Sequence, residues 1–418
     1  MKNSYYFLFL VLVIFLAACQ ENEPQPQPQP QPQPNNNNGN NGNNNNGNNG
    51  NNNNNPTAIL PTGFNNVALP NELTNGALGH IAISGDGRFV VVTTTAQLVP
   101  NDQDNFTDVY RLDRQNNTWL LLSPNLVSNA FSASISDNGN RVLFTASQSP
   151  ALPTSPTAIY LWENNTVIPI QEGVQDPTSP LPLITPLVAF TNVISPNGQQ
   201  IAVNINLNHV VAPLQTLQGA VVSNGQPADF STNGRFHTWV DVDILNPQQS
   251  PRVWLYDAQT GSNAPITRST SFSDSPRING DGQFVVFASE MSDLTGAEDN
   301  NGLLDVFLFD QTVPRYTRLT PANANGISQN PDISADGNVI VFSSSANNLG
   351  IPDTNFTFDI YAYIGGQLVN LTVGSQQSNV NPVLSNDGRF VAYVSGPSDA
   401  TGTVSPQNAR VFIAGPLR

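Results

Sequence analysis

Ile83-Ser84-Gly85-Asp86-Gly87 is the first of seven near-copies of one five-residue phrase. The phrase is an apolar residue, Ser or Asn, any residue, Asp or Asn, then Gly. The other copies are Ile135–Gly139 (ISDNG), Ile194–Gly198 (ISPNG), Phe230–Gly234 (FSTNG), Ile278–Gly282 (INGDG), Ile333–Gly337 (ISADG) and Leu384–Gly388 (LSNDG). Their glycines lie 52, 59, 36, 48, 55 and 51 residues apart. Periods of roughly 40–50 residues that hold several short strands indicate propeller blades. Asp-Gly and Asn-Gly tolerate the positive φ angles of tight hairpin turns. The motif therefore marks the turn between the first and second strands of each blade. The fold class is all-β: a seven-bladed β-propeller, with six blades as the alternative.

The flanks supply the other strands. Second strands rich in β-branched and aromatic residues follow the turns, as at Phe89–Val92, Val142–Thr145, Phe284–Ala288 and Val339–Ser343. Third strands are read at Val109–Leu112, Ile159–Trp162, Val253–Tyr256, Val306–Phe309, Ile360–Tyr363 and Val411–Ala414. Fourth strands are read at Trp119–Leu122, Val167–Ile170, Tyr316–Leu319 and Leu368–Leu371. Blade three is compressed into the 36-residue interval. After the last motif the chain has room for a second and a third strand only. Residues near Asn65–Leu69 are expected to supply the missing fourth strand to the last blade. Such a closure joins the ends of the array and removes an exposed edge. A solenoid would instead need capping units.

These residues resemble the bacterial TolB-like, WD-like propeller repeats. Blades of that kind share the S-x-D-G turn followed by a strand such as Arg389–Tyr393 (RFVAY). The resemblance covers nearly all of residues 65–418 and implies a fold rather than an activity, because propellers host binding modules, scaffolds and enzymes alike. TolB itself is usually six-bladed with a separate N-terminal domain, so seven motifs set this chain apart from it.

Residues 1–18 read as a signal peptide: Lys2, an apolar stretch Tyr5–Phe15, then Leu16-Ala17-Ala18-Cys19. Cys19 is the only cysteine, which excludes an intramolecular disulfide. The Leu-Ala-Ala-Cys ending resembles the bacterial lipobox. That resemblance implies lipidation of Cys19 (diacylglyceryl and palmitate-type chains), and several chains give stable anchoring where one does not. Gln20 in place of Asp leans toward the outer membrane, on its periplasmic or surface face. Residues 19–55 continue as a tether: Pro24–Pro34 alternates Pro with Gln, and Asn35–Asn55 contains only Asn and Gly. Neither part has apolar residues to bury, and the composition is that of a spacer. Residues 56–418 form the propeller domain.

The net charge is −16, and Lys2 is the only lysine beside thirteen arginines. Nucleic-acid binders need clustered positive charge, so that class is set aside. The acidity also leaves carboxylates for divalent cations. Three blades carry an acidic loop just before the third strand: Asp102, Asp104 and Asp108; Asp299, Asn301 and Asp305; Asp353, Asn355 and Asp359. The shared form is D-x-[DN]-x-x-x-D, followed by an apolar and an aromatic residue. Oxygens at positions one, three and seven of a tight loop suit calcium, although the bidentate Glu of an EF-hand loop is absent. The competing reading makes the last Asp a bonder of loop amides at the start of a strand and the first two residues Asx-turn formers.

No hydrolase elbow and no second cysteine are present, and His80, His209 and His237 have no metal spacing. Arg88, Arg235 and Arg389, directly after the motif glycines, are expected to shield the turn or to pair with a neighbouring acid. The sequence thus points to a lipid-anchored cell-envelope propeller acting as a non-catalytic binding or scaffold module for a protein, peptide or glycan. The alternative is a metal-assisted propeller hydrolase or lyase with its site in the central channel. That alternative requires inward-facing Asp, Glu, Asn or His side chains from several blades to converge at one point.

Overall fold

The computed structural model describes residues 62–69, 76–124, 129–147, 157–170, 192–205, 208–217, 220–223, 225–241, 250–268, 271–295, 301–351, 353, 355, 357–399 and 403–418. Cys19, the tether and Asp299 lie outside them. The described residues belong to one compact unit, Ile59–Arg418.

Seven four-stranded antiparallel sheets make up this unit. Blade one is β2 (Leu78–Ile83), β3 (Phe89–Thr94), β4 (Asp108–Asp113) and β5 (Thr118–Leu121). Blade two is β6 (Ala130–Ile135), β7 (Arg141–Ser147), β8 (Thr157–Glu163) and β9 (Thr166–Pro169). Blade three is β10 (Asn192–Ile194), β11 (Gln200–Ile205), β12 (Asn208–Pro213) and β13 (Ala220–Ser223). Blade four is β14 (Gln226–Phe230), β15 (Phe236–Asp241), β16 (Arg252–Asp257) and β17 (Ser262–Pro265). Blade five is β18 (Ser273–Ile278), β19 (Phe284–Ser289), β20 (Asp305–Asp310) and β21 (Arg315–Arg318). Blade six is β22 (Ser328–Ile333), β23 (Val339–Ser344), β24 (Asp359–Ile364) and β25 (Gln367–Asn370). Blade seven is β26 (Ser378–Leu384), β27 (Val391–Gly396), β28 (Arg410–Gly415) and, as its outermost strand, β1 (Asn65–Ala68).

The expected closure is present: β1 pairs antiparallel with β28, with Asn65 opposite Gly415 and Ala68 opposite Phe412. The seven-blade count holds over the six-blade alternative. Compression does not cost blade three a strand: β11, β12 and β13 and the first strand of blade four all fit within the 36-residue interval. The sequence had offered no third or fourth strand there.

Each motif is the turn that was expected, and the hydrogen bonds explain its composition. In blade one the Ser84 hydroxyl donates to Asp86 Oδ1 at 2.8 Å and accepts from Phe89 N–H at 2.9 Å. Asp86 Oδ1 also accepts from Arg88 N–H at 2.9 Å, and Gly87 N–H donates to the Ser84 carbonyl. One short side chain with a donor and an acceptor, and one acceptor two residues on, are what this turn needs. Asn279 and Asp281 do the same work in blade five.

The glycine serves both the turn and the neighbouring blade. Gly139 has φ +71°, and a Cβ there would lie 2.1 Å from the Phe89 ring of blade one. The core is divided among the seams: aliphatic second and third strands of one blade pack on the first strand of the next, as Val91, Val109, Ala133, Val142 and Phe144 do between blades one and two. Large buried rings such as Tyr110, Phe144, Phe287, Phe342 and Tyr361 fill these seams.

Candidate functional site

Chain direction fixes where the acidic loops lie. The first strand of each blade runs toward its motif turn and the second runs back. A loop joining the second strand to the third therefore lies on the face opposite the motif turns. The loops of blades one, five and six share that face.

In all three blades the last Asp of the loop starts the third strand and is buried. It is bonded there by a hydroxyl that also accepts the next main-chain N–H. Ser123 Oγ donates to Asp108 and accepts from Val109 N–H. Thr320 Oγ1 donates to Asp305 Oδ1 at 2.6 Å and accepts from Val306 N–H. Thr372 Oγ1 donates to Asp359 Oδ1 at 2.6 Å and accepts from Ile360 N–H. The last Asp does hold the start of the strand in each blade, but its shared partner is a hydroxyl from just after the fourth strand rather than a loop amide.

The third loop position separates the blades. Asn301 donates its amide to Asp305 at 3.3 Å and to the Ala324 carbonyl at 3.1 Å. Asn355 donates to Asp359 at 3.5 Å and to the Ser375 carbonyl at 2.7 Å. Blade one has Asp104 in that place, and a carboxylate has nothing to donate. Asp102, Asp104 and Asp108 bring their oxygens within 4.8 Å of one another. Asp102 accepts from the Tyr110 hydroxyl and from Asp104 N–H, and Asp104 accepts from Phe106 N–H at 2.9 Å. Burial, with the charges of Asp102 and Asp104 added, pushes the Asp108 carboxyl up to about 7 against the pull of Ser123. Three acids gathered without a donor among them can hold a metal ion. Among the described residues Asp305, Asp353 and Asp359 belong to no such cluster of three acids, and Asn stands at the third position of both loops.

The axis holds a set of groups that the sequence reading passed over. Asp229, Arg277 and Asp332 stand directly before the motif's apolar residue in three consecutive blades. Charged residues at that place on an innermost strand were the available signal. Asp229 accepts from Phe230 N–H at 2.8 Å and, across the seam, from Ile278 N–H at 2.9 Å. Asp332 repeats the pattern with Ile333 N–H at 2.8 Å and Leu384 N–H at 2.7 Å. Ser134 does it in blade two, accepting from Ile194 N–H at 3.0 Å. Arg277 lies between the two acids, with Nε 3.9 Å from Asp332 Oδ1 and long contacts to the Ala228 and Pro276 carbonyls. Burial raises the Asp229 carboxyl to about 7 and also raises Asp332. Among the described residues these axial groups do not gather three ligand atoms as blade one does.

The motif arginines divide. Arg88 pairs with Asp113 through two bonds of 3.0 and 2.7 Å, and Arg235 pairs with Asp257 through two of 2.8 Å. Arg389 lies over the Phe390 ring. His209 and His237, which looked unrelated in sequence, are both fully buried, with their Nε2 atoms 2.9 Å apart. No sequence spacing announces this contact, because it joins β12 of blade three to β15 of blade four.

No protein-family model matches the chain, and no curated protein matches it. Solved structures do. Oligogalacturonate lyase in complex with manganese aligns over 86% of this chain and 94% of its own at 12% identity, with a TM-score of 0.54. The propeller domain of the Trilobed protease from Pyrococcus furiosus aligns over 81% and 95% at 9% identity, with a TM-score of 0.52. TolB from Acinetobacter baumannii aligns over 81% and 79% at 15% identity, with a TM-score of 0.41. At such identities the likeness is one of fold. At that level the β-propeller reading holds.

Proposed function

We propose that this chain is a lipid-anchored propeller of the bacterial cell envelope, held on Cys19 and its tether, that acts as a non-catalytic binding or scaffold module. Its partner is an envelope protein, peptide or glycan, met on the face that carries the acidic loops. Proteins of this fold include a lyase and a protease domain, so the fold alone does not choose. The observation that carries the reading is at the axis. Both oxygens of Asp229, and both of Asp332, accept main-chain N–H groups, one from the next residue of its own strand and one from the first strand of the next blade. A carboxylate bound in this way is a structural acceptor, and a general acid or base needs a free proton path. We assign calcium to Asp102, Asp104 and Asp108, where other oxygens would come from main chain or water.

The test uses the full chain in its own envelope. A photo-crosslinking residue at Gln103, on the acidic-loop face, is expected to capture one defined partner. The same residue at Arg88, on the motif face, is expected to capture none. Equal labelling from both faces would sink the binding-face assignment. Catalytic turnover of an envelope glycan or peptide by the purified chain, abolished in Asp229→Asn or Asp332→Asn, would replace the binding reading with an enzymatic one.

A further inference from the structure

The seven motif turns form a ring of their own. The residue between Ser and Asp in one turn donates its main-chain N–H to the matching carbonyl of the next blade. Gly85 donates to Asp137, Asp137 to Pro196, Thr232 to Gly280, Gly280 to Ala335 and Ala335 to Asn386, at 2.8–3.0 Å. Asp387 closes the ring on Gly85 at 2.9 Å, and the Asn386 amide reaches over Gly85 to Asp137 at 2.6 Å. One seam cannot take part. Blade three has Pro196 in the donor position, and proline has no N–H.

The same seam lacks the other two ties. Val193 stands where Ser134, Asp229 and Asp332 accept an N–H from the next blade, and a valine side chain accepts nothing. Gln200 stands where Phe89, Phe236, Phe284 and Phe390 pack their rings under the next motif glycine. Both neighbouring seams are better tied. Blades two and three share the Arg141 bond to the Gly198 carbonyl at 2.7 Å beside the Ser134 tie. Blades four and five share the ring bond from Thr232, the Asp229 tie and the packing of Phe236 on Gly282.

Blades three and four are bridged by the small apolar cluster of Val193, Ala202, Val211 and Phe230 and by the His209–His237 contact, with Phe230 and Trp239 against the imidazoles. Two Nε2 atoms at 2.9 Å need one proton between them, so one ring donates and the other accepts. Neither Nδ1 makes a hydrogen bond of good geometry, and the Asp229 carbonyl beside His237 offsets only part of the cost of burial. A second proton leaves two donors facing each other in a site closed to water. Asn204 lies opposite His209 on β11, and Tyr256 lies opposite His237 on β16. On β14, Asp229 is held by the Phe230 and Ile278 amides. None of these supplies a charge to compensate an imidazolium.

We propose that the propeller opens first between blades three and four rather than at the β1–β28 closure, and that acid releases this seam by protonating the His209–His237 pair. Burial supports the same direction, lowering His237 to about 3 and His209 well below its ordinary value. The closed seam then binds fewer protons than the open one, so closure weakens as pH falls below about 6.5.

Hydrogen–deuterium exchange of the full chain at pH 7.5 and 5.0, corrected for intrinsic rates, reads this directly. Peptides spanning residues 192–214 and 226–241 are expected to gain opening of about 30-fold for each histidine that takes up a proton. Peptides of β1, β27 and β28 are expected to change far less. The double variant His209→Asn/His237→Gln keeps a donor–acceptor pair that does not titrate, and its seam is expected to lose the acid response. Pro196→Ala restores a donor to the Thr232 carbonyl and is expected to slow seam exchange at pH 5.0, which keeps the test open should the double variant not fold. Acid opening spread evenly over the blades, opening that starts at β1, or an unchanged seam in Pro196→Ala would each overturn the proposal.

Discussion

Blades one and six carry almost the same loop and resolve its charge in opposite ways. In blade six, Asp359 receives Thr372, Asn370 and Asn379 at 2.6, 3.1 and 3.2 Å, with the Asn355 amide at 3.5 Å. Those donors oppose the rise in its pKa that burial causes. In blade one, Asp108 has the Ser123 hydroxyl and two further carboxylates. Asn355 against Asp104 at the third loop position, with Asn370 and Asn379 where blade one has Leu121 and Phe131, separates a self-contained staple from a cluster with charge left over. A repeat motif therefore cannot be assigned one role: the same spacing is structural in one blade and open to a cation in another.

The largest effect should come from removing the staples. Asp359→Ala takes the acceptor from Thr372 and Asn370 in a buried site, and one of the acceptors of Asn379, and is expected to cost about 3 kcal/mol. Asp108→Ala strands one hydroxyl and also relieves repulsion, so about 1 kcal/mol is expected. Thermal melts of the two variants side by side test this ordering. Equal losses would mean that the two loops are not electrostatically different.

Calcium should give the next effect, and in blade one only. With an affinity on the order of 10⁻⁴–10⁻³ M, 10 mM calcium stabilises the folded chain by roughly 1.4–2.7 kcal/mol. Melting in calcium against chelator should show that gain in the wild-type chain and not in Asp104→Asn. If Asp104→Asn keeps the full calcium response, the site is elsewhere.

The contrast between the blades also shows how far the sequence could be read. The blade count, the turn chemistry and the closure by Asn65–Ala68 were legible, because each depends on short-range residue types: Gly at positive φ, Ser and Asp two apart, alternating apolar strands. The strand-start role of Asp108, Asp305 and Asp359 was legible as one of two readings. Choosing between them needed Ser123, Thr320 and Thr372, which stand 15, 15 and 13 residues away. The axial Asp229, Arg277 and Asp332 and the His209–His237 contact were not read, because they meet across seams and seams have no period in the sequence.

The smallest effect is also the most specific to the comparison. Asp108 has its carboxyl raised to about 7 by burial, Asp102 and Asp104. A carboxyl with a raised folded pKa binds protons more readily in the folded chain than in the unfolded one. Its contribution to stability is present below the unfolded value near 4 and is lost as pH rises toward 7. In chelator, Asp104→Asn removes one source of that rise and supplies an amide donor like that of Asn355. The stability difference, variant minus wild type, should therefore be close to zero at pH 4.5. It should grow to about 1 kcal/mol in favour of the variant by pH 7.5. Taking the difference cancels the opposite pH dependence of the buried histidines, which both chains share. Urea titrations at the two pH values measure it, and a difference that stays flat or shrinks as pH rises would mean that Asp104 does not act on Asp108 at all.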